Sequence, residues 1–328
     1  MGPADSRPLV SVLITCCDQA SLLGDAVRSA TARSARVQVV VVDDGSTDDT
    51  AAVARRLNVV FERQPRRGSA AAKNRGLLVS TGEFVLFLDA GDQLLPGAID
   101  LGVRALTLCP GSAMAYGRAL VAGSDGGLRI PADDPLVRAG HHAALLQTNL
   151  IWMSAMAIFR REAVQRAGAF GEGLDGAADY DLYLRVSRDA AVVDHGCPVA
   201  VYGGGHGAID GGTAHLLRDT LEAMRRNCPD PHTPLHSAWR EGYARWQDIY
   251  GAEIAAEIRA DLRGHALADA ARKGLSLLSL APRVFVRELS RPAHVFEAVP
   301  QRRANSTAGD SPESNVPSSA IPSSASRT

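Results

Sequence analysis

Two carboxylate clusters in this 328-residue chain stand where an apolar run breaks off. Residues 37–42 (VQVVVV) stop at Asp43 and Asp44, and residues 84–88 (FVLFL) stop at Asp89-Ala90-Gly91-Asp92. Carboxylate oxygens are hard ligands, and the second cluster suits Mg²⁺ or Mn²⁺ better than zinc. A divalent ion there would bridge the two phosphates of a nucleotide and neutralise the charge left when a phosphate departs. Asp and Gly are also ordinary turn formers, so the tetrapeptide alone reads equally well as a turn. Asp43 and Asp44 at the end of a second strand tip the balance toward a ligand site. Farther along, Asp179, followed by Asp181, opens an amphipathic run to residue 187 and by itself reads as a helix cap.

The elements that would position these groups alternate. The β-branched run 10–14 (VSVLI) has the pattern of a strand buried on both faces. Residues 21–30 carry apolar side chains at helical spacing, and 37–42 form a second strand. Ser46 or Thr47 is expected to cap a helix through residue 57, with Asp48 and Asp49 favourable to its dipole. A strand at 58–62, a helix from Gly68 to about residue 78 and a strand at 84–88 follow. Strand–helix alternation implies right-handed crossovers and a parallel sheet. Ligands collect beyond the carboxyl ends of such strands, so both acidic clusters point at one crevice. After Pro96 the pattern predicts a helix to about 108, a strand and hairpin over 111–131, and a strand at 155–159. Short helices are expected at 162–167 and 179–187, strands at 192–193 and 199–202, and helices over 213–227 and 236–262.

Composition narrows the possibilities. Lys plus Arg number 35 against 36 acidic residues, and aromatics make up only 5%, which argues against a nucleic-acid partner. The five cysteines (Cys16, Cys17, Cys109, Cys197, Cys228) show no CxxC spacing and read as reduced thiols of a cytoplasmic protein. The first ten residues lack an apolar core of the kind a secretory signal needs, and no run approaches the ~18 apolar residues of a membrane span. Over 272–303, seven Lys/Arg face two acidic residues among LSLLSL and VFV. Such a segment is either a packed helix with a solvated basic face or a peripheral contact with the inner face of a membrane. Residues 301–328, rich in Ser with scattered Pro, read as a disordered tail.

Five segments carry a family resemblance: residues 10–15, VVVDDGSTDDT (40–50), AAKNRGL (71–77), GEFVLFLDAGDQLLP (82–96) and AADYDLYLRVS (177–187). In order and spacing the chain resembles the inverting family 2 glycosyltransferases over roughly residues 8–225. The resemblance implies a GT-A fold, an α/β, Rossmann-like, mostly parallel sheet flanked by helices. A short arm (1–7) would precede it and a helical extension (226–300) follow. It implies transfer of a sugar from a nucleoside-diphosphate sugar to a glycan or lipid-linked acceptor in surface-polysaccharide synthesis, assisted by Mg²⁺ or Mn²⁺. By the same resemblance, Thr15, Asp44 and its neighbour Asp43 face the nucleobase. Lys73 stands where the family usually has Arg and faces the nucleotide. Asp89 approaches ribose and metal, Asp92 and His206 are further metal candidates, and Asp179 is the general base.

The chain also departs from the family pattern. Gly91 replaces the usual second Asp of the metal motif, Ala178 replaces a Glu before Asp179, and Gly203 replaces an Arg in YGGGH. These departures keep a second reading open, a family relative that binds nucleotide sugar or a protein partner without turnover. A dinucleotide-dependent oxidoreductase is disfavoured, because TCCDQAS and not GxGxxG follows the first strand.

Overall fold

The computed structural model describes residues 8–31, 36–123, 127–131, 135–204 and 212–289. Its first half follows the alternation: β1 (Leu9–Cys16), α1 (Ala20–Thr31), β2 (Arg36–Asp44), α2 (Thr50–Arg56), β3 (Val60–Gln64), α3 (Ser69–Val79) and β4 (Phe84–Asp89). These strands pair in parallel in the order β3-β2-β1-β4. The continuous apolar runs have a simple cause. β1 and β4 are covered on both faces, and Leu13, Ile14, Phe87 and Leu88 are at most 1% exposed. Burying each such side chain stabilises the fold by roughly 1.5–3 kcal/mol.

The second half comprises β5 (Gln93–Leu94), α4 (Ala98–Leu108), β6 (Ser112–Ala122), β7 (Leu128–Arg129) and α5 (His141–Gln147). A 3-10 turn (Ser154–Met156), β8 (Ala157–Arg160), α6 (Arg161–Arg166), α7 (Ala178–Asp189) and β9 (Ala191–Val201) follow. β8 lies antiparallel between β4 and β6, β9 runs parallel to β6, and β5 runs antiparallel to β9. The sheet order is β3-β2-β1-β4-β8-β6-β9-β5, with β7 paired to β6. The result is a mixed α/β sheet, parallel on one side and mixed on the other. Two expectations differ from what is found. The strands expected at 192–193 and 199–202 are one strand, β9, whose register against β6 breaks near Arg118. The helix expected to start at Ser46 or Thr47 starts at Thr50, because the preceding loop wraps around Asp18: its carboxylate takes the amides of Thr47 and Asp48.

The chain continues through α8 (Gly212–Arg226), the 30-residue α9 (Pro234–Arg263), α10 (Leu267–Leu280) and α11 (Pro282–Leu289). These helices share the sheet's core. Trp246 of α9 meets the ring of Tyr180 on α7 edge-on at 5.7 Å, and the Tyr180 hydroxyl donates to the Leu145 carbonyl of α5 at 2.7 Å. Residues beyond 289, including the expected tail and the end of the 272–303 segment, lie outside the described residues. No helix among the described residues is long and apolar enough to cross a membrane.

Candidate active site

Strand register brings the first group of side chains together. Thr15 of β1 is level with Asp89 of β4, Cys16 with Asp43 of β2, and Asp44 with Gln64 of β3. The carboxyl ends of four neighbouring parallel strands therefore stop at one edge. There the Thr15 hydroxyl donates to Asp89 Oδ1 at 2.9 Å. Asp44 Oδ1 accepts from Gln64 Nε2 (2.8 Å) and the Arg67 amide (2.9 Å), and its Oδ2 accepts from the Gly68 amide (2.8 Å). A carboxylate offers about four acceptor positions, so Oδ2 has room for one more donor. Asp43, expected to share the contact with the nucleobase, is fully buried and shapes the turn instead. Its Oδ1 takes the Ser46 amide at 2.8 Å, and Arg63 Nε lies 3.3 Å from its Oδ2. Burial, with the charge of Asp43 next, pushes the neighbouring Cys16 thiol up to about 12, so it is no nucleophile at neutral pH.

The next helix carries the second group. Gly68 opens α3 at φ 91°, a region that costs a side-chain-bearing residue, and a Cβ there would lie 2.5 Å from Asp175 Oδ1. The start of α3 is thus pinned between Asp44 and the loop that leads to α7. One turn on, the Lys73 ammonium donates to Asp179 Oδ2 at 2.6 Å and to the Ser154 hydroxyl at 2.9 Å. The Phe170 ring lies 5.5 Å from it. Burial alone would lower the Lys73 pKa. The charges of Asp179, Asp89 and Asp92 outweigh that and hold it above its ordinary value, so this buried amine stays an ammonium. Next door, Asn74 and the backbone of Phe170 exchange two hydrogen bonds of 2.9 Å each.

Asp179 is the second residue of α7, after an N-cap at Ala177, and its side chain is 34% exposed. Its Oδ2 is held by Lys73, while its Oδ1 is shielded from solvent and has no hydrogen-bond partner among the described residues. Tyr183, one turn along, is fully buried against Phe159. Burial and then the charges of Asp179 and Asp89 push its phenol well up, so it remains neutral.

Of the two carboxylates expected to hold a divalent ion, Asp89 accepts from the Thr15 hydroxyl. Asp92 is fully buried, and its Oδ1 accepts the Gly203 amide at 3.1 Å. Gly91 offers no side chain, and its carbonyl oxygen occupies the space where a Cβ on Gly203 would fall, 1.7 Å away. Two of the three departures from the family pattern are therefore one contact. Among the described residues no group of three or more His, Cys, Asp or Glu side chains could hold a metal. His206 lies outside them, and no step below runs through a metal.

Near these residues in sequence, Met153 is core, and Trp152 is half-buried against Tyr202. Arg67 pairs with Glu172 at the surface. Ser154, Asp175 and the link from Asn74 to Phe170 have no signature in sequence, because each partner comes from a distant segment.

Comparison with known proteins agrees with this fold. Residues 11–168 match the Glycosyl transferase family 2 model. The succinoglycan biosynthesis protein ExoU of Rhizobium meliloti (strain 1021) is 43% identical over 98 residues, 27% of this chain and 28% of that protein. A GalNAc(5)-diNAcBac-PP-undecaprenol beta-1,3-glucosyltransferase of Campylobacter jejuni subsp. jejuni serotype O:2 is 33% identical over 100 residues, 28% of this chain and 32% of that protein. This chain thus spans about a third or less of either relative. Among solved structures, S. aureus TarS 1-349 in complex with UDP-GlcNAc superposes with a TM-score of 0.56 at 16% identity, over 84% of this chain and 82% of that one. The mannosyltransferase PcManGT from Pyrobaculum calidifontis, in complex with GDP-Man and Mn²⁺, gives 0.53 at 20% identity over 87% and 88%. At such identities the structures speak for the fold.

Proposed function

Starting from a chain whose residues 11–168 belong to the family 2 glycosyltransferases, we propose that it transfers a sugar from a nucleoside-diphosphate sugar to an acceptor hydroxyl with inversion. The single observation that carries this reading is Asp179, with one oxygen clamped by a buried ammonium and the other shielded yet unpartnered. A buried acceptor oxygen without a donor is costly, and a substrate hydroxyl would supply one. The reaction then balances without an enzyme nucleophile. The acceptor O–H gives its proton to Asp179 Oδ1 as its oxygen attacks the anomeric carbon. The new C–O bond forms on the face opposite the departing bond. The nucleoside diphosphate leaves with the electron pair of the anomeric C–O bond.

The remaining site residues take binding roles in this reading. Asp44 Oδ2 accepts from the nucleobase, Thr15 borders it, and Asp89, oriented by the Thr15 hydroxyl, lies toward the ribose. The acceptor is a glycan or lipid-linked glycan of surface-polysaccharide synthesis, a reading supported by the names of the two relatives.

A screen of nucleoside-diphosphate sugars for thermal stabilisation, with and without Mn²⁺, followed by turnover of the best donor, tests the proposal. Asp179→Asn should bind that donor as the wild type does and lose roughly 10²–10⁴-fold in kcat. Turnover of no donor by the wild type would favour a binding protein, and an unimpaired Asp179→Asn would remove Asp179 as the base. A large Mn²⁺ shift without nucleotide would show that the free protein holds a metal ion.

A further inference from the structure

We infer that Lys73 is a positioning residue for Asp179, holding Oδ2 so that Oδ1 alone faces the acceptor, and is not a contact for the nucleotide. The inference rests on the reading of Asp179 as the base. The family resemblance turns Lys73 toward the donor, but the side chain is 3% exposed and its ammonium is engaged by Asp179 and Ser154. The Phe170 ring closes another side. Its neighbour Asn74 grips the backbone of Phe170 in the segment leading to α7. Consecutive residues of α3 thus secure the base-bearing helix and its approach, 96 and 106 positions away in sequence.

The choice of Lys over Arg acquires a physical meaning here. An ammonium is a compact point charge, and in this site it binds one carboxylate oxygen. A guanidinium is a fork suited to both oxygens of a carboxylate. At position 73 an Arg would tend to cover Oδ1 as well, removing the proton acceptor while preserving charge and ion pair. Lys73→Arg is therefore a substitution that leaves the electrostatics intact and still impairs the chemistry.

The test uses the full chain with the donor found in the screen, and UDP or GDP, whichever stabilises the wild type, as the binding probe. Lys73→Met should lower kcat by roughly 10²-fold, the scale of a misplaced catalytic group. The donor KM and the thermal shift with the nucleotide should stay within about threefold of the wild type. Lys73→Arg should fold normally, bind the nucleotide normally and lose roughly tenfold in kcat. On an Asp179→Asn background neither change should matter further, because its target is gone. Loss of the nucleotide shift with kcat preserved would overturn the inference and return Lys73 to the nucleotide. If Asp179→Asn is inactive while both Lys73 variants turn over like the wild type, the inference alone falls; if Asp179→Asn is fully active, the proposed base falls with it. Should Lys73→Met not fold, Lys73→Arg decides.

Discussion

Two cation–carboxylate pairs of this fold, one within the sheet and one between α3 and α7, are finished differently. Arg118 of β6 and Asp194 of β9 form a bidentate pair, with Nη1 to Oδ1 at 2.9 Å and Nη2 to Oδ2 at 2.8 Å. The amides of Gly196 and Val137 fill further positions on the carboxylate, and Arg118 also donates to the Pro135 carbonyl. Both side chains are at most 3% exposed. The Lys73–Asp179 pair is as short, yet Asp179 is a third exposed and one of its oxygens is unanswered. Saturation marks a pair that holds the fold. In the proposed reading, an unfilled acceptor marks one that has chemistry left to do.

Breaking the saturated pair should have the largest effect on the fold. Arg118→Met leaves Asp194 as a buried uncompensated charge, expected to cost about 3–5 kcal/mol and to lower Tm on the order of 10 °C. Calorimetry reads this, and the folded fraction should retain its donor KM. If Arg118→Met instead kept its Tm and lost kcat, the assignment of roles to the two pairs would be reversed.

A medium effect should come from the contact beside Asp92. Gly203→Ala forces a methyl group against the Gly91 carbonyl, and the backbone must shift. We expect a loss of about 1–3 kcal/mol, as for other overpacked sites, and weaker nucleotide stabilisation than in the wild type. Unchanged Tm and unchanged binding would show that segment 91–92 yields without consequence for the site.

The smallest effect concerns a carboxyl on α9, far from either pair. Burial, with the charge of Glu257 next, raises Glu253 from its ordinary 4.5 to about 7. The native state then holds this proton more tightly than the unfolded chain does. The group therefore costs stability as pH rises from about 4.5 to about 7, and the full cost persists above that. Glu253→Gln should raise Tm at pH 8 by at most a few degrees, the partial exposure weakening the effect, and by less at pH 5. Equal gains at both pH values would detach the effect from titration.

How much of this was legible beforehand depends on the range of the interaction. β1, β2 and β4 announce themselves because strands covered on both faces must be apolar throughout, and the carboxylates that follow them must then share an edge. The ion pair of Lys73 and Asp179 spans 106 residues and obeys no local period, so the motif AAKNRGL named the residue but not its partner. β9 was split in two because His195, Gly196, Cys197 and Pro198 interrupt its apolar pattern, although the strand passes through them with a register break. A carboxylate after a strand looks the same in sequence whether it faces a cleft or, as Asp92 Oδ1 does, a backbone amide.

The indole of Trp246 rests on Tyr180, and Tyr180 is bonded to the residue that initiates the proposed proton transfer. Shortening the protein after α8 would thus strip the cover from an aromatic ring that helps fix the opening turn of α7. The long helix α9 braces α7, and alterations there should register in turnover without approaching any substrate.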